Sequence, residues 1–261
     1  AGIPVRLSAD FVSADGALPQ VVVSGLVELS GVRFAEAGGR HAATVDAAGA
    51  VFDDSGAMVT GLATERAALN LTSADYEQAI ASGLEYQKAT PVKPGRYQVR
   101  FAVRHEAGGE IGSASQWVEV PNLGEGKLTL SSLFLLKKEQ APKQATPAPA
   151  GEALALRSAQ ARRRFKSAES LYAQVFVYNP GRDAAGATHL VTQVEIWREG
   201  VRLAATAEEA MDPGDRGAPP IPHTRSIKLT PFGPGEYEVR LVVTDRTANA
   251  MASRRVSFTI E

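Results

Sequence analysis

The chain has 261 residues, 44% of them hydrophobic and 22% charged, which is ordinary for a globular protein and corresponds to about two domains. The net charge of −1 argues against a dedicated nucleic-acid-binding protein. The absence of cysteine excludes disulfides, thiolate metal sites and cysteine nucleophiles.

The first half of the chain predicts short β-strands separated by turns, with one helix among them. Thr72 and Asp75 have the spacing of a capping box and Gly83 is a plausible stop, so a helix is expected at about 73–82. Before position 91 the predicted strands are Ile3–Val12, Gln20–Leu29, Ala43–Phe52, Ala57–Thr60 and Leu84–Thr90.

The second half has the same character after a short Gly/Pro boundary at Pro121–Lys127. Residues 139–151 are Ala/Pro-rich and polar, so a mobile loop is expected there. The predicted strands are Leu128–Leu136, Leu171–Tyr178, Leu190–Arg198, Val201–Thr206, Arg225–Leu229, Tyr237–Asp245 and Arg254–Ile260.

The chain contains an internal repeat at an offset of 140 residues. Residues 90–106 and 230–246 are identical at eight of 17 positions. If the next loop is two residues shorter in the second copy, Trp117 aligns with Arg255. The repeat predicts two related modules, 1–124 and 125–261.

Each repeat begins with a Pro-Gly turn followed by alternating apolar residues, which is typical of a half-buried strand. About seven such strands in each module favour an all-β fold of two tandem immunoglobulin-like β-sandwiches. The Pro-Gly-x-Tyr-x-Val pattern resembles the tyrosine corner of immunoglobulin-like and fibronectin type III-like sandwiches. That resemblance implies a structural role for Tyr97 and Tyr237, whose hydroxyls would hydrogen-bond to nearby backbone.

Longer segments support a more specific resemblance. The stretches K-P-G-R-Y-Q-V-R-F-A-V-R-H-E at 93–106, I-G-S-A-S-Q-W-V-E-V-P at 111–121, F-V-Y-N-P at 176–180 and V-V-T-D-R at 242–246 resemble the C-terminal region of von Willebrand factor A-related proteins of acidobacteria. In those proteins the segments follow an adhesion-type domain. The D-x-S-x-S metal motif of that domain does not occur in this chain.

Aromatic residues of the second module form a candidate binding face. In the strand 171–178, aliphatic residues alternate with Tyr172, Phe176 and Tyr178. If the aliphatic set faces the core, these three rings lie outside, and Trp197 has the parity to join them. The opposite assignment, with the aromatic rings inside, is equally simple. An outer aromatic row would suit a sugar or a protein strand.

Trp117 is a candidate contact between the modules. It has opposite parity to Val118 and Val120 and lies close to the predicted boundary. The first 126 residues hold 9 Lys and Arg against 15 Asp and Glu, whereas the remainder hold 19 against 14. Opposite net charges favour close approach of the modules. The alternative is a tryptophan covered by loops of its own module.

Other polar features indicate no catalytic chemistry. The basic segment Arg157–Lys166 is interpreted as a solvated sheet edge, with contact to an anionic polymer or headgroup layer as the alternative. The four histidines, at positions 41, 105, 189 and 223, lack metal-ligand spacing, so neither a metal nor a cofactor is expected. No apolar run approaches the roughly 20 residues that a membrane-spanning helix needs.

The sequence therefore predicts a non-catalytic structural or interaction module of a larger bacterial cell-envelope or secreted protein. Its expected partner is another protein or a neighbouring domain of the same polypeptide, and its expected location is extracellular or periplasmic. The alternative is a carbohydrate-binding accessory module.

Overall fold

The computed structural model describes residues 2–14, 17–137, 159–211 and 220–261. The predicted all-β fold is confirmed, and the chain divides into two compact units. The first unit contains residues 1–9 and 20–120, and the second contains 10–19 and 121–261. The boundary at 120/121 lies close to the predicted one, but the segment 10–19 groups with the second unit instead of the first. The segment 139–151, predicted to be a mobile loop, lies outside the described residues.

The first unit consists of two antiparallel sheets. One has the order β1-β2-β6, and the other has the order β3-β4-β7-β8 with β5 paired to β4. The strands are β1 Val5–Val12, β2 Gln20–Val27, β3 Ala35–Ala37, β4 Arg40–Asp53, β5 Met58–Thr72, β6 Leu84–Pro91, β7 Gly95–His105 and β8 Ile111–Val120. The last three residues of β1 group with the second unit.

The core of the first unit lies between these two sheets. Every second residue of β7 is buried, from Tyr97 through Val99, Phe101 and Val103, as the alternation predicts. The Phe101 ring packs 4.8 Å from the Tyr86 ring of the opposite sheet. A Cβ atom at Gly25 of β2 would lie 2.7 Å from the Phe101 ring, so glycine is required for this close approach.

The predicted helix is confirmed as α1, Ser73–Ser82. The Thr72 hydroxyl oxygen accepts a hydrogen bond from the Asp75 backbone N–H at 3.3 Å. This bond satisfies one of the free N–H groups of the first turn. The helix ends at Gly83, whose φ of 69° is a conformation that side chains rarely adopt.

The second unit also contains two sheets and a short helix, α2 Ala159–Arg162. One sheet has the order β10-β12-β16 with β9 paired to β12, and the other has the order β11-β18-β17-β13-β14 with β15 paired to β13. The strands are β9 Thr129–Leu130, β10 Phe134–Leu136, β11 Arg164–Phe165, β12 Ser170–Tyr178, β13 Leu190–Arg198, β14 Val201–Ala205, β15 Glu209–Ala210, β16 Ile221–Lys228, β17 Gly235–Asp245 and β18 Ala250–Ile260. Pairing is antiparallel except between β11 and β18.

Side chains from both sheets fill one core in the second unit. The inward residues of β12 pack with those of β13, β17 and β18. Apolar surface buried between two sheets in this way defines a sandwich. In the part of the chain that the structure describes, no helix is long and apolar enough to cross a membrane.

Two strand predictions need correction. The predicted strand Leu128–Leu136 is divided into β9 and β10, because Ser132 between them exchanges hydrogen bonds with Phe11 instead. The predicted strand Ala57–Thr60 extends to Thr72, because β5 pairs with almost the whole of β4. Part of the basic segment forms β11, which lies at a sheet edge.

The register of the repeated hairpins corrects the predicted alignment at Trp117. Trp117 pairs with Gln98, and at an offset of 140 Ser257 pairs with Glu238. The counterpart of Trp117 is therefore Ser257, not Arg255. No shortening of the loop is needed, because the two hairpins keep the same register from end to end.

Candidate functional site

Both repeat tyrosines make the hydrogen bond expected of a tyrosine corner. The Tyr97 hydroxyl donates to the Lys93 carbonyl at 2.7 Å, and the Tyr237 hydroxyl donates to the Gly233 carbonyl at 2.8 Å. Both rings are buried. Each bond anchors the turn before the strand to the first inward residue of that strand, so these positions serve the fold.

The aliphatic residues of β12 face the core, which resolves the alternative that the sequence left open. The predicted aromatic row is nevertheless not exposed. Phe176 and Tyr178 are buried, and Tyr172 is half-buried. The Tyr178 hydroxyl donates to the Ser13 carbonyl at 3.0 Å and accepts from the Ser13 N–H at 2.8 Å, and its ring lies 6.0 Å from that of Phe11. The segment 10–14 therefore covers Tyr178, and burial raises the pKa of this tyrosine.

Trp197 does not join these rings, because β13 belongs to the other sheet of the second unit. Its indole N–H donates to Glu195 at 2.9 Å, and the Arg240 guanidinium lies 4.6 Å from the centre of the indole ring. Arg202 also donates to Glu195 at 2.9 Å. On the outward face of this sheet, Glu195, Arg202 and Arg240 therefore form a connected group of charged side chains around Trp197.

Glu195 is the centre of that set. Only 7% of the residue is exposed, and burial alone would raise the pKa of its carboxyl group. Hydrogen bonds from Arg202 and Trp197 and the charge of Arg240 oppose this effect, and the net pKa is below the ordinary value. Glu195 is thus held ionised, and it compensates the arginines around it.

The first unit carries a related arrangement that the sequence analysis did not single out. Phe52 pairs with Gln98 as Trp197 pairs with Glu238, so the two aromatic residues occupy equivalent positions. The Arg100 guanidinium lies 4.2 Å from the centre of the Phe52 ring. Arg100 and Arg240 are also equivalent at the repeat offset, and this identity is the signal that could have located both pairs.

Trp117 extends the same face onto β8. It is 44% exposed, as its parity predicts, and the Arg96 guanidinium lies 4.6 Å from the centre of its ring. A role for Trp117 in contact between the modules remains a prediction. Within the first unit, Trp117 and Phe52 flank Gln98 in one row across three strands.

The histidines lie apart from one another, and each has its own local environment. His41 stacks on Tyr76 at 4.1 Å, and His189 bonds to Asp183 at 2.8 Å. Burial and the charge of Arg225 lower the pKa of His223 to about 4. The described ranges contain no group of three or more histidine and acidic side chains that could hold a metal ion.

The fourth histidine, His105, takes part in a cluster at the β7–β8 hairpin. Its ring is buried and bonds to Glu110 at 2.8 Å, and Arg33 donates to the same carboxylate. The hydrogen bond from His105, followed by those from the backbone and Arg33, lowers the pKa of Glu110 to about 2. The cluster fastens the hairpin to the segment around Arg33.

This cluster predicts a pH dependence for the first unit. A carboxyl group whose folded pKa is depressed stabilises the fold above its ordinary pKa of 4.5, and the contribution is lost as the pH falls from there to about 2. We expect Glu110→Gln to remove this part of the acid sensitivity. The measurement is denaturant unfolding followed by Trp117 fluorescence in a Trp197→Phe background. Equal acid sensitivity with and without Glu110→Gln would contradict the prediction.

No family model matches the chain, and no curated protein matches it. Among solved structures, the chain is similar to a crystal structure of a red sea bream transglutaminase, with 10% identity and a TM-score of 0.27. The match covers 98% of this chain and 31% of that one, so the chain spans about a third of that protein's length. A likeness at this level carries no argument about activity.

Proposed function

We propose that the chain is a non-catalytic structural and interaction module of a larger bacterial cell-envelope or secreted protein. Its immunoglobulin-like sandwiches space neighbouring domains, and one of them binds a protein partner. The two tyrosine-corner hydrogen bonds, at the same position of each repeat, support the immunoglobulin-like assignment. The resemblance of the sequence to von Willebrand factor A-related proteins supports the location at the cell envelope or outside the cell.

The observation that carries partner binding is the edge strand β14. It terminates the larger sheet of the second unit, and all five of its residues are exposed. Val201 and Leu203 are 61% and 49% exposed. Among the described residues no further strand pairs with the outer side of β14, so that side offers free backbone donors and acceptors.

Such an edge recognises an extended segment of another protein by strand addition. The backbone of the incoming segment completes the sheet, and alternate side chains give specificity. Edges that avoid this reaction usually carry exposed charges. The one charged residue of β14, Arg202, is engaged by Glu195, whereas the apolar Val201 and Leu203 are exposed. Apart from the register shift at Leu203, this edge therefore carries little protection against pairing.

The alternative of a carbohydrate-binding row at Tyr172, Phe176, Tyr178 and Trp197 receives less support. A sugar-binding platform needs exposed rings in one plane. Two of these rings are buried, and Trp197 lies in the other sheet.

Selection of displayed random peptides on the immobilised chain tests the proposal. We expect the enriched peptides to alternate apolar residues and to lose at least about tenfold in affinity for Val201→Lys and Leu203→Lys, because an edge lysine opposes strand pairing. Val242→Lys is the matched control, since β17 has strands on both sides. Peptides that bind the edge variants as tightly as the parent chain would refute the use of β14.

A further inference from the structure

Two arginines of the first unit point outward from one strand. Arg96 and Arg100 are exposed residues of β7 on the same face, about 13 Å apart at the usual rise along a strand. Each guanidinium lies over an aromatic ring, Arg96 over Trp117 and Arg100 over Phe52. Arg100 is further fixed by a hydrogen bond of 2.8 Å that it donates to the Gln98 side chain.

Neither guanidinium forms an ion pair with any residue that the structure describes. The cross-strand neighbours of Arg100 are Ala50 and Ser115, which carry no charge. Glu119 lies opposite Arg96 in the register, but the Arg96 guanidinium is directed over Trp117. The aromatic rings hold the arginines in place without neutralising them.

The equivalent face of the second unit differs on this point. Arg240, the counterpart of Arg100, lies 3.8 Å from both Glu195 and Glu238, and Arg255 lies 3.7 Å from Glu238. The repeat therefore presents the same arginine twice, once compensated by carboxylates and once not. Of these two equivalent faces, the one in the first unit keeps its arginines without carboxylate partners among the described residues, and a negatively charged ligand would complement it.

A shallow depression of about 610 Å³ adjoins Arg100. Small side chains and the Phe52 ring line it, and its lining includes Ala48, Ala50, Ala102, Ser113 and Ser115. Its centre is β7, which is paired with β4 on one side and β8 on the other. β8, which contributes Ser113 and Ser115, is the last strand of this sheet among the described residues.

We infer that this face of β4, β7 and β8 binds a polysaccharide that carries carboxylate groups, of the uronic-acid type. Arg100 and Arg96 pair with carboxylates of successive parts of the chain in the bidentate geometry that guanidinium favours. The methyl groups and the Phe52 ring contact the apolar faces of the sugar rings, and Ser113 and Ser115 hydrogen-bond to hydroxyls. The site lies in the first unit and does not depend on β14.

The test is affinity electrophoresis of the full chain in gels that contain polygalacturonate, in low salt and in about 0.15 M salt. We expect binding that salt weakens. Arg100→Ala should lower the affinity at least about tenfold, as the loss of a bidentate charge-assisted contact does. Arg240→Ala, the repeat counterpart, should leave the affinity within about twofold. Arg100→Gln serves as a second variant, and thermal unfolding establishes that each variant folds.

Four results would overturn the proposal. They are no binding by the parent chain, equal losses for Arg100→Ala and Arg240→Ala, equal binding to neutral dextran, and equal or tighter binding to poly-glutamate. The last result would assign the face to an acidic peptide. Leu203→Lys should retain binding to polygalacturonate, so this site and the β14 edge can fail independently.

Discussion

Replacement of Tyr237 by alanine is expected to lower the free energy of unfolding of the second unit by about 3–5 kcal/mol, because it leaves a cavity in the core. The ring is 4% exposed and packs against Phe258 and Phe232. Tyr97→Ala should have an effect of similar size on the first unit. In denaturant unfolding, Trp197 fluorescence in a Trp117→Phe background reports on the second unit, and Trp117 fluorescence in a Trp197→Phe background reports on the first.

The phenylalanine variants separate the hydroxyl from the ring. Tyr97→Phe should cost about 1 kcal/mol, the usual contribution of one hydrogen bond. Tyr237→Phe should cost slightly more, because the Tyr237 hydroxyl also accepts a hydrogen bond of 3.3 Å from Arg198. Tyr172→Phe, at a half-buried position of β12, is the control. Unchanged midpoints for both corner variants would remove the argument that these hydroxyls stabilise the units.

The elements that the sequence predicted well are those whose signals are local. Alternation over four apolar positions located β7 and β17 and their buried faces. Thr72, Asp75 and Gly83 located both ends of α1. In each case the residues that determine the element lie within it or beside it.

The candidate binding face could not be predicted because its exposure depends on distant residues. Parity in β12 correctly separates the aliphatic from the aromatic face. It does not show which residues cover the aromatic face. Tyr178 is covered by Ser13 and Phe11, and Ser13 is 165 positions away in the chain. Parity also cannot tell which sheet a strand joins, so it places Trp197 with rings that lie in the other sheet.

Identical residues at equivalent positions of the repeat can have different surroundings. Arg100 and Arg240 are identical and equivalent, yet their charge environments differ because Ala50 pairs with Arg100 where Glu195 pairs with Arg240. A second difference, Gln98 where the other copy has Glu238, lies within the matched segments. The difference between Ala50 and Glu195 lies outside them, on strands β4 and β13, and only the strand pairing shows it.

The ends of the repeated strands differ in the same way. β17 ends at Asp245, which is fully buried, and β7 ends at the equivalent His105. His105 bonds to Glu110 within its own hairpin. Asp245 instead accepts a hydrogen bond of 2.5 Å from the N–H of Gly181, in the loop after β12. Asp245 therefore links the two sheets of the second unit. This link lies at the end of β17, whereas Tyr237 lies near the start of the same strand.

We expect Asp245→Ala to lower the free energy of unfolding of the second unit by about 3 kcal/mol, because three backbone N–H groups lose the fully buried carboxylate that accepts their hydrogen bonds. Besides Gly181, the N–H groups of Thr247 and Ala248 donate to the carboxylate at 2.9 and 3.0 Å. Denaturant unfolding followed by Trp197 fluorescence in a Trp117→Phe background gives the loss.

Asp245→Asn distinguishes the contributions of the two carboxylate oxygens. Thr247 and Ala248 donate to Oδ1, whereas Gly181 donates to Oδ2. An asparagine that keeps its oxygen at the Oδ1 position retains the hairpin bonds but presents an NH₂ group to the Gly181 N–H. We therefore expect about half of the alanine effect, with the bond between the sheets lost and the hairpin intact. A loss for Asp245→Asn as large as for Asp245→Ala would place all the stabilisation in the bond to Gly181, and no loss would show that this bond contributes nothing.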